Sequence, residues 1–96
     1  MKVAIYGRTN GQNDIETQIE KCREYAQQNN YEIAHEFIDD QDTDGKSFEQ
    51  LVEAAREFDG VVMQDRARVS RNALERETRL KALREAGLDV CFVSSA

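Results

Sequence analysis

The sequence contains no proline and no tryptophan, and it has only two cysteines and one histidine. No apolar stretch approaches the roughly 20 residues that a membrane-spanning helix requires. The first residues, MKVAIYGR, hold too short an apolar run for a secretion signal. Together these absences predict a protein that acts away from membranes, and we expect it in the cytoplasm.

The scarcity of cysteine and histidine argues against a metal centre or a catalytic thiol. Cys22 and Cys91 lie far apart at apolar positions, and the sequence has no Cys-x-x-Cys motif and no Cys/His cluster. We therefore expect two buried, reduced thiols, with no metal and no cofactor. His35 stands alone on a candidate strand, where a half-buried packing role is expected.

Acidic residues exceed basic ones, but the charge is unevenly distributed. Lys and Arg number 13 against 19 Asp and Glu, and the resulting net charge of −6 argues against a generic nucleic-acid binder. Residues 66–84 nevertheless hold seven basic residues against two glutamates, a local net charge of +5. This asymmetry predicts a local partner that is an anion.

The acidic excess includes the segment DDQDTDG, which partly matches a calcium-binding loop. Asp40, Asp42 and Asp44 are followed by Gly45, as at the start of an EF-hand loop. The twelfth position, where a bidentate glutamate is required, is Leu51. We therefore expect a solvated, mobile loop that does not bind calcium.

Four short apolar runs predict β-strands. The predicted strands span Lys2–Gly7, Tyr31–Ile38, Val61–Met63 and Leu88–Ser94. In the second strand, simple alternation places Ile33, His35 and Phe37 on one face of the sheet.

Apolar residues at helical spacing separate these strands and predict three helices. The expected N-caps are, in chain order, Asn13 or Asp14, then Ser47, then Asn72. Asn29 and Asn30 are expected to end the first helix, and Gly87 to close the third. The apolar positions are Ile15, Ile19, Cys22, Tyr25 and Ala26 in the first helix, Phe48, Leu51, Val52, Ala55 and Phe58 in the second, and Leu74, Leu80, Leu83 and Ala86 in the third.

The order of these elements is β-α-β-α-β-α-β, within one domain spanning residues 1–96. Helices that connect short apolar strands in this order imply right-handed crossover connections. The sequence therefore predicts an α/β fold with three layers and a mostly parallel, four-stranded sheet.

Arginine residues follow two of the predicted strands. Arg8 comes at the end of the first strand, and Arg68 and Arg71 follow the third within the segment DRARVSRN. Ligands of open α/β sheets bind beyond the carboxyl ends of the strands, and arginine recognises phosphate through paired hydrogen bonds. If the two strands are neighbours, the three side chains converge on a site suited to a phosphodiester.

Three segments of the chain resemble the catalytic domain of the serine recombinases, the resolvase/invertase family. They are Tyr6-Gly7-Arg8-Thr9-Asn10, the helix that carries Gln18, and Arg68-Val69-Ser70-Arg71-Asn72. The resemblance covers nearly the whole chain and implies a resolvase-like domain, whose members cut and rejoin DNA through a serine covalently linked to the 5′ phosphate. It also implies a set of phosphate-binding residues: Arg8, Gln18, Lys46, Arg68, Ser70 and Arg71.

Departures from the family pattern affect the chemistry. The family's nucleophilic serine falls on Asn10, whose amide has no hydroxyl to deprotonate. The family's aspartate before the first arginine of the second motif falls on Ala67, which cannot donate or accept a proton. A family arginine falls near Lys46, which offers a point charge in place of a planar fork. Shifting the alignment with the family motif by two residues, so that Asp65 takes the place of the aspartate, would misplace the rest of the motif. We therefore expect the chain to adopt the resolvase-like fold but not to cleave DNA strands.

Two functions remain open. The first is a non-catalytic relative that binds the DNA backbone, or joins a full-length recombinase or a second copy of itself as an inactive subunit. The second is a protein-interaction module with no nucleic-acid role, in which helix pairs such as Glu75–Arg79 and Glu77–Lys81 neutralise the basic residues. A phosphotransfer receiver would need an acidic pair after the first strand, and the sequence has none there.

Overall fold

A computed structural model describes residues 1–9, 15–40, 42–43, 45–70 and 72–94. The elements are, in chain order, β1 Lys2–Arg8, α1 Ile15–Gln28, β2 Glu32–Asp39, α2 Lys46–Glu53, β3 Gly60–Met63, α3 Ala73–Glu85 and β4 Asp89–Phe92. Short 3-10 turns follow α2 at Ala55–Glu57 and β3 at Arg66–Arg68. The strands pair in parallel in the order β2-β1-β3-β4, which confirms the predicted α/β sheet.

The sheet lies between α1 on one face and α2 with α3 on the other. On the α1 face, Val3, Ile5 and Val62 pack against Ile19 and Cys22. The cluster on the opposite face includes Ala4, Tyr6, Val61, Met63, Leu51, Leu80 and Leu83. Alternate residues of β1 and β3 thus enter opposite clusters, as strands covered on both faces require. The predicted three layers are confirmed.

A bulge in β2 overturns the predicted face of that strand. Val3 pairs with Ile33, but the next residue of β1, Ala4, pairs with His35, so one residue of β2 is left between them. Ile33 therefore packs on the α1 face, whereas Phe37 is buried in the opposite cluster. The prediction was wrong because it assumed unbroken alternation, which an extra residue inverts. The half-buried position expected for His35 is also wrong, because the residue is exposed, although its ring centroid lies 4.4 Å from that of Phe37.

The start of α2 differs from the predicted cap. Gly45, with φ of 93°, holds the N-cap position without a side-chain hydrogen bond, and Ser47 lies inside the first turn. The carboxylate of Asp39, at the end of β2, instead accepts hydrogen bonds from the backbone N–H groups of Ser47 (2.9 Å) and Phe48 (3.0 Å). The prediction failed because this acceptor comes from the preceding strand and not from the helix entry itself.

The described helices end close to their predicted boundaries, with one exception. α2 ends at Glu53, so Ala55 lies in the 3-10 turn and Phe58 follows that turn, although both still pack in the core. Gly87, with φ of 90°, follows α3 as predicted. Within the described residues, no helix combines the length and apolar character needed to cross a bilayer.

The first turn of α3 has the predicted cap. The side chain of Asn72 accepts a hydrogen bond from the backbone N–H of Glu75 at 3.0 Å. This bond satisfies one of the N–H groups that a helix start leaves without an intrahelical acceptor. The corresponding prediction for α1, Asn13 or Asp14, lies outside the described residues.

The described part of the acidic segment forms a turn that Asp40 closes. One oxygen of its carboxylate accepts the backbone N–H groups of Asp42 and Thr43, both at 2.9 Å. These hydrogen bonds to the charged form, that of Thr43 first, lower the pKa of Asp40 below its usual value. Asp44, the third aspartate of the apparent calcium motif, lies outside the described residues.

Both cysteines are free thiols, but they differ in burial. Cys22 is buried on the inner face of α1, and this burial raises its pKa to about 12. Cys91 is only half-buried, because β4 is an edge strand of the sheet. The prediction of burial is therefore confirmed for Cys22 and wrong for Cys91.

Candidate functional site

Arg8 and Arg68 lie at the same edge of the sheet. Arg8 is the last residue of β1, and Arg68 ends the 3-10 turn that follows β3. β1 and β3 are hydrogen-bonded parallel neighbours, so Arg8 lies at, and Arg68 just beyond, the carboxyl ends of adjacent strands. The Nε atoms of both are buried, while each residue as a whole is partly exposed. The third arginine, Arg71, and the nearby Asn10 lie outside the described residues.

Gln18 fixes the backbone of Arg8. Its Nε2 donates to the Arg8 carbonyl oxygen at 2.9 Å, and its Oε1 accepts the Arg8 N–H at 3.3 Å. A buried amide on α1 therefore pairs with the backbone N–H and carbonyl groups at the end of β1, as the backbone of a neighbouring strand would. Gly7 makes this approach possible, because a Cβ there would stand 2.9 Å from the Cδ1 atoms of both Ile15 and Ile19.

A buried hydroxyl–carboxylate pair lies beneath the site. The Tyr6 hydroxyl donates to Asp39 Oδ2 at 2.7 Å, and Asp39 also accepts the two N–H groups at the start of α2. The Tyr6 ring meets the Phe48 ring edge to face, with centroids 5.4 Å apart. One aspartate thus joins β1, β2 and α2 in a region without exposure to solvent at Tyr6 or Asp39.

The pKa of Tyr6 depends on its burial and on the charged groups around this pair. Burial, and then the hydrogen bond to Asp39, raise the pKa of Tyr6 far above its ordinary value, so this phenol stays protonated. The positive charges of Arg79 and Arg8 oppose that shift. Two guanidinium groups therefore lie within electrostatic reach of the Tyr6 hydroxyl, one from the end of β1 and one from α3.

The hydroxyl of Ser70 organises the turn that precedes α3. It donates to Glu75 Oε1 at 3.1 Å and accepts the backbone N–H of Asn72 at 3.2 Å. The residue is 3% exposed. Ser70 therefore has local partners on both sides, which is the arrangement of a residue that shapes a turn.

Two arginines of α3 hold the backbone of the same turn. Arg79 Nη1 donates to the carbonyl oxygen of Val69 at 2.8 Å, and Arg76 Nε donates to that of Ser70 at 3.3 Å. Arg79 Nη2 also forms a 2.7 Å ion pair with Glu75, as the helical spacing predicted. These side chains therefore connect α3 to the segment that carries Arg68.

The other predicted helix pair is wrong. Glu77 forms its ion pair with Arg66 of the preceding 3-10 turn at 2.7 Å, and Lys81 lies 3.8 Å from Glu85. The partner of Glu77 therefore lies outside the helix. The ion pairs of Arg66 and Lys81 are exposed and contribute little to stability.

The remaining predicted positions lie around this edge. Lys46 is the exposed first residue of α2, and Ala67 is exposed within the 3-10 turn. Asp65 precedes that turn, and its negative charge adds to burial and to the charge of Glu36 in raising the pKa of Cys22 on α1. Within the described chain, the buried Oδ1 of Asp65 has no hydrogen-bond partner.

Sequence reasoning missed the structural roles of Asp39 and Arg79. The signal for Asp39 was a carboxylate at the last position of a buried strand, where an unpaired charge is unfavourable. The signal for Arg79 was its position one residue before the buried Leu80, on a helix with little separation of polar and apolar faces. Neither signal identifies the Tyr6 hydroxyl bonded to Asp39 or the Val69 carbonyl bonded to Arg79, because both of these groups lie on other elements.

A family model described as "Resolvase, N terminal domain" matches residues 3–96 of the chain. A search of curated proteins found no match. Solved structures share the fold, and one is the C-terminal catalytic domain of ISC1926 TnpA, an IS607-like serine recombinase. It has a TM-score of 0.83 and 21% identity, over 100% of this chain and 72% of that chain.

Two further structures also share the fold. The N-terminal catalytic domain of TP901-1 integrase has a TM-score of 0.82 and 20% identity, over 97% of this chain and 77% of that chain. A resolvase family site-specific recombinase from Streptococcus pneumoniae has a TM-score of 0.79 and 20% identity, over 97% of this chain and 72% of that chain. At these identities the structural likeness establishes the fold.

Proposed function

The chain belongs to the resolvase family, by the match of its N-terminal-domain model, and we propose that it binds the phosphate backbone of DNA without cleaving the strand. In this proposal residues 1–96 act as a single domain of the serine recombinase catalytic type. The observation that carries it is the position of Arg8 at the end of β1 and of Arg68 just after the end of the neighbouring parallel strand β3. Guanidinium groups at such an edge suit a phosphodiester oxygen, which accepts paired hydrogen bonds.

Further residues complete the proposed phosphate site. Arg71 follows Arg68 by three residues and supplies a third guanidinium group, and Lys46 adds a positive charge from the start of α2. Gln18 and Ser70 contribute by fixing the backbone on either side, because their polar groups bind Arg8 and the turn before α3. The site therefore has positive charge on rigid supports, as electrostatic stabilisation of a phosphate requires.

The absence of cleavage follows from the residue types. Asn10 occupies the family's nucleophile position, and a carboxamide cannot form the covalent phosphodiester link that a serine forms. Ala67 removes the aspartate of the same site. Ser70 does not replace the nucleophile in this proposal, because its hydroxyl already binds Glu75 and the Asn72 N–H.

A protein that binds the DNA backbone but cannot cut it has a regulatory use. By occupying a recombination site, or by entering an assembly with a complete recombinase or a second copy of itself, it would supply an inactive subunit. The process it serves is then DNA recombination, of the kind that mobile elements carry out, and the partners are DNA and a recombinase subunit.

Duplex-DNA binding measured by fluorescence anisotropy tests the proposal. The chain should bind with an affinity that falls steeply between low and physiological salt, because counterions are released from the phosphates. Arg68→Ala/Arg71→Ala should lose most of this binding. Arg84→Ala, on the exposed last turn of α3, removes a positive charge away from the site and should retain it. Equal loss in both variants, or no binding by the parent at low salt, would refute the phosphate site.

The alternative function is a protein-interaction module without a nucleic-acid role. Specific observations favour it: the net charge is −6, and two arginines of the basic segment, Arg66 and Arg79, already pair with glutamates. The same measurement separates the two functions. A module of this kind would give no salt-dependent DNA binding, and Arg68→Ala/Arg71→Ala would change nothing.

A further inference from the structure

Arg79, on α3 in the outer layer of the fold, contacts several residues around the proposed phosphate site. Its side chain is 15% exposed, and its guanidinium carbon lies 5.3 Å from the centroid of the Phe48 ring. Nη1 donates to the Val69 carbonyl at 2.8 Å, and Nη2 pairs with Glu75 at 2.7 Å. Nη2 also stands 2.8 Å from where a Cβ of Gly45 would lie.

These contacts join the three segments around the proposed phosphate site. Val69 directly follows Arg68, Phe48 and Gly45 flank the start of α2 beside Lys46, and Glu75 belongs to the first turn of α3. The same Glu75 oxygen that pairs with Arg79 also accepts the Ser70 hydroxyl. One guanidinium group therefore sets the spacing between the turn that carries Arg68 and the start of α2.

Glycine at position 45 suits this arrangement on two grounds. Its φ of 93° lies in the left-handed region that side chains disfavour, and any Cβ would meet the Arg79 guanidinium. Lys46 therefore follows a glycine whose backbone lies close to the Arg79 guanidinium. The backbone at 45 and the side chain at 79 fit each other.

Stability alone does not explain an arginine here. A largely buried charge must give up much of its hydration, and well-packed apolar residues of similar volume are often as stable or more so. The neighbouring α3 residues Leu80 and Leu83 are fully buried and apolar. What leucine or methionine could not provide at position 79 is a planar group that donates to Val69 and Glu75 at once.

We propose that Arg79 is a positioning residue of the phosphate site, acting through the Val69 carbonyl to hold Arg68 in register with the start of α2. This inference rests on the proposed function, because positioning matters only if Arg68 binds phosphate. Arg79 acts through the turn, since both its terminal nitrogens are engaged within the chain. Arg76, which donates to the Ser70 carbonyl, supports the same turn one step further along.

The test is a double-mutant cycle on duplex-DNA binding with the full chain. Arg79→Lys keeps the charge but cannot donate to two acceptors in the guanidinium geometry. It should weaken binding on the order of tenfold, the effect of losing one charge-assisted hydrogen bond. Arg68→Ala should do the same, and the double variant should bind no more weakly than Arg68→Ala alone. The matched control, Arg84→Lys on the exposed last turn of α3, should bind like the parent.

Two outcomes of the cycle would overturn the positioning role. Additive losses would mean that Arg79 acts independently of Arg68. Unchanged affinity in Arg79→Lys, with a lowered melting temperature, would mean that Arg79 only stabilises the fold. All affinities are compared at a temperature where circular dichroism shows each variant folded.

A second readout separates this inference from the proposed function. Without DNA, the Arg68 Nε–H resonance in a ¹H–¹⁵N spectrum should move in Arg79→Lys and stay in place in Arg84→Lys. If the parent binds no DNA, the proposed function fails, and this resonance still decides whether Arg79 positions Arg68. If the resonance stays in place in Arg79→Lys, the inference is overturned whether or not DNA binds.

A substitute variant covers the case in which Arg79→Lys does not fold. Glu75→Gln removes the charge partner of Arg79 but keeps an acceptor for the Ser70 hydroxyl. It should shift the Arg68 Nε–H resonance in the same direction, by less. No shift in a folded Glu75→Gln would count against the inference in the same way.

Discussion

The Tyr6 hydroxyl donates a 2.7 Å hydrogen bond to the buried carboxylate of Asp39, and that carboxylate also caps α2. One interaction thus determines how β1, which carries Arg8, meets the helix whose first residue is Lys46. The buried Tyr6–Asp39 pair, which makes no contact with solvent, therefore stabilises the site at the sheet edge.

Removing the Tyr6 hydroxyl should destabilise the fold without a change of charge. Tyr6→Phe leaves Asp39 with its two backbone donors but without its phenolic one. A hydrogen bond to a charged group contributes about 1.5–3 kcal/mol, so the free energy of unfolding should fall by about that amount. Urea denaturation measures the change. The control, Tyr31→Phe, alters a half-buried tyrosine packed on the opposite face of the sheet and should cost less.

The same pair makes stability depend on alkaline pH. Because the pKa of Tyr6 is raised in the folded state, the folded chain keeps a proton that the unfolded chain loses above its ordinary pKa of about 10. The stabilisation is complete below pH 10 and declines above it, by about 1.4 kcal/mol per pH unit for one proton. In Tyr6→Phe, the free energy of unfolding should therefore fall less steeply between pH 10 and 11, by the contribution of one proton. Urea denaturation midpoints measured at these pH values would reveal the difference. An identical slope in the parent and Tyr6→Phe would contradict the assignment.

Gln18 should matter for both stability and phosphate binding. Gln18→Leu preserves approximate volume but leaves the N–H and carbonyl of Arg8 without this partner, a loss of about 1–3 kcal/mol for each buried group. The end of β1 should loosen, and DNA affinity should fall with it. Gln27→Leu, on the exposed side of α1, is the matched control. Parent-like stability and affinity in Gln18→Leu would show that the amide is dispensable.

Restoring the missing groups should restore the first chemical step. Asn10→Ser with Ala67→Asp, placed in a recombinase that supplies a DNA-binding domain, should form a protein–DNA adduct resistant to denaturing electrophoresis. Ala67 is exposed, so an aspartate can be accommodated there. Asn10→Ala with Ala67→Asp is the control and should form none. An adduct from the unmodified chain would contradict the claim that it does not cleave DNA.

The layers of the fold followed from the sequence because local patterns determined them. Short β-branched runs and helical spacing predicted the four strands and three helices that the structure describes, whereas the adjacency of β1 and β3 was only a condition of the expected site and is an observation of the structure. The face of β2 was not predictable, because one extra residue beside Ala4 inverts the alternation between Ile33 and Phe37. No composition signal marks that bulge.

The candidate site was predicted only as far as its residues lie at strand ends. Arg8 and Arg68 were located by that rule, whereas the supporting contacts depend on elements far apart in sequence. Asp39 caps a helix from the preceding strand, and Arg79 reaches back to the Val69 carbonyl. Such contacts are set by tertiary packing, which residue spacing within one element does not encode.

The most direct measurement is a ¹H–¹⁵N titration of the arginine Nε–H resonances with a short DNA duplex at low salt. The account predicts that Arg8 and Arg68 shift together with DNA concentration. Arg23 serves as an internal control, because it lies away from the site and pairs with Glu36 through two hydrogen bonds, of 2.7 and 2.9 Å. Its Nε–H resonance should stay in place. Shifts confined to exposed arginines such as Arg84, with Arg8 and Arg68 unmoved at saturating DNA, would contradict the phosphate site.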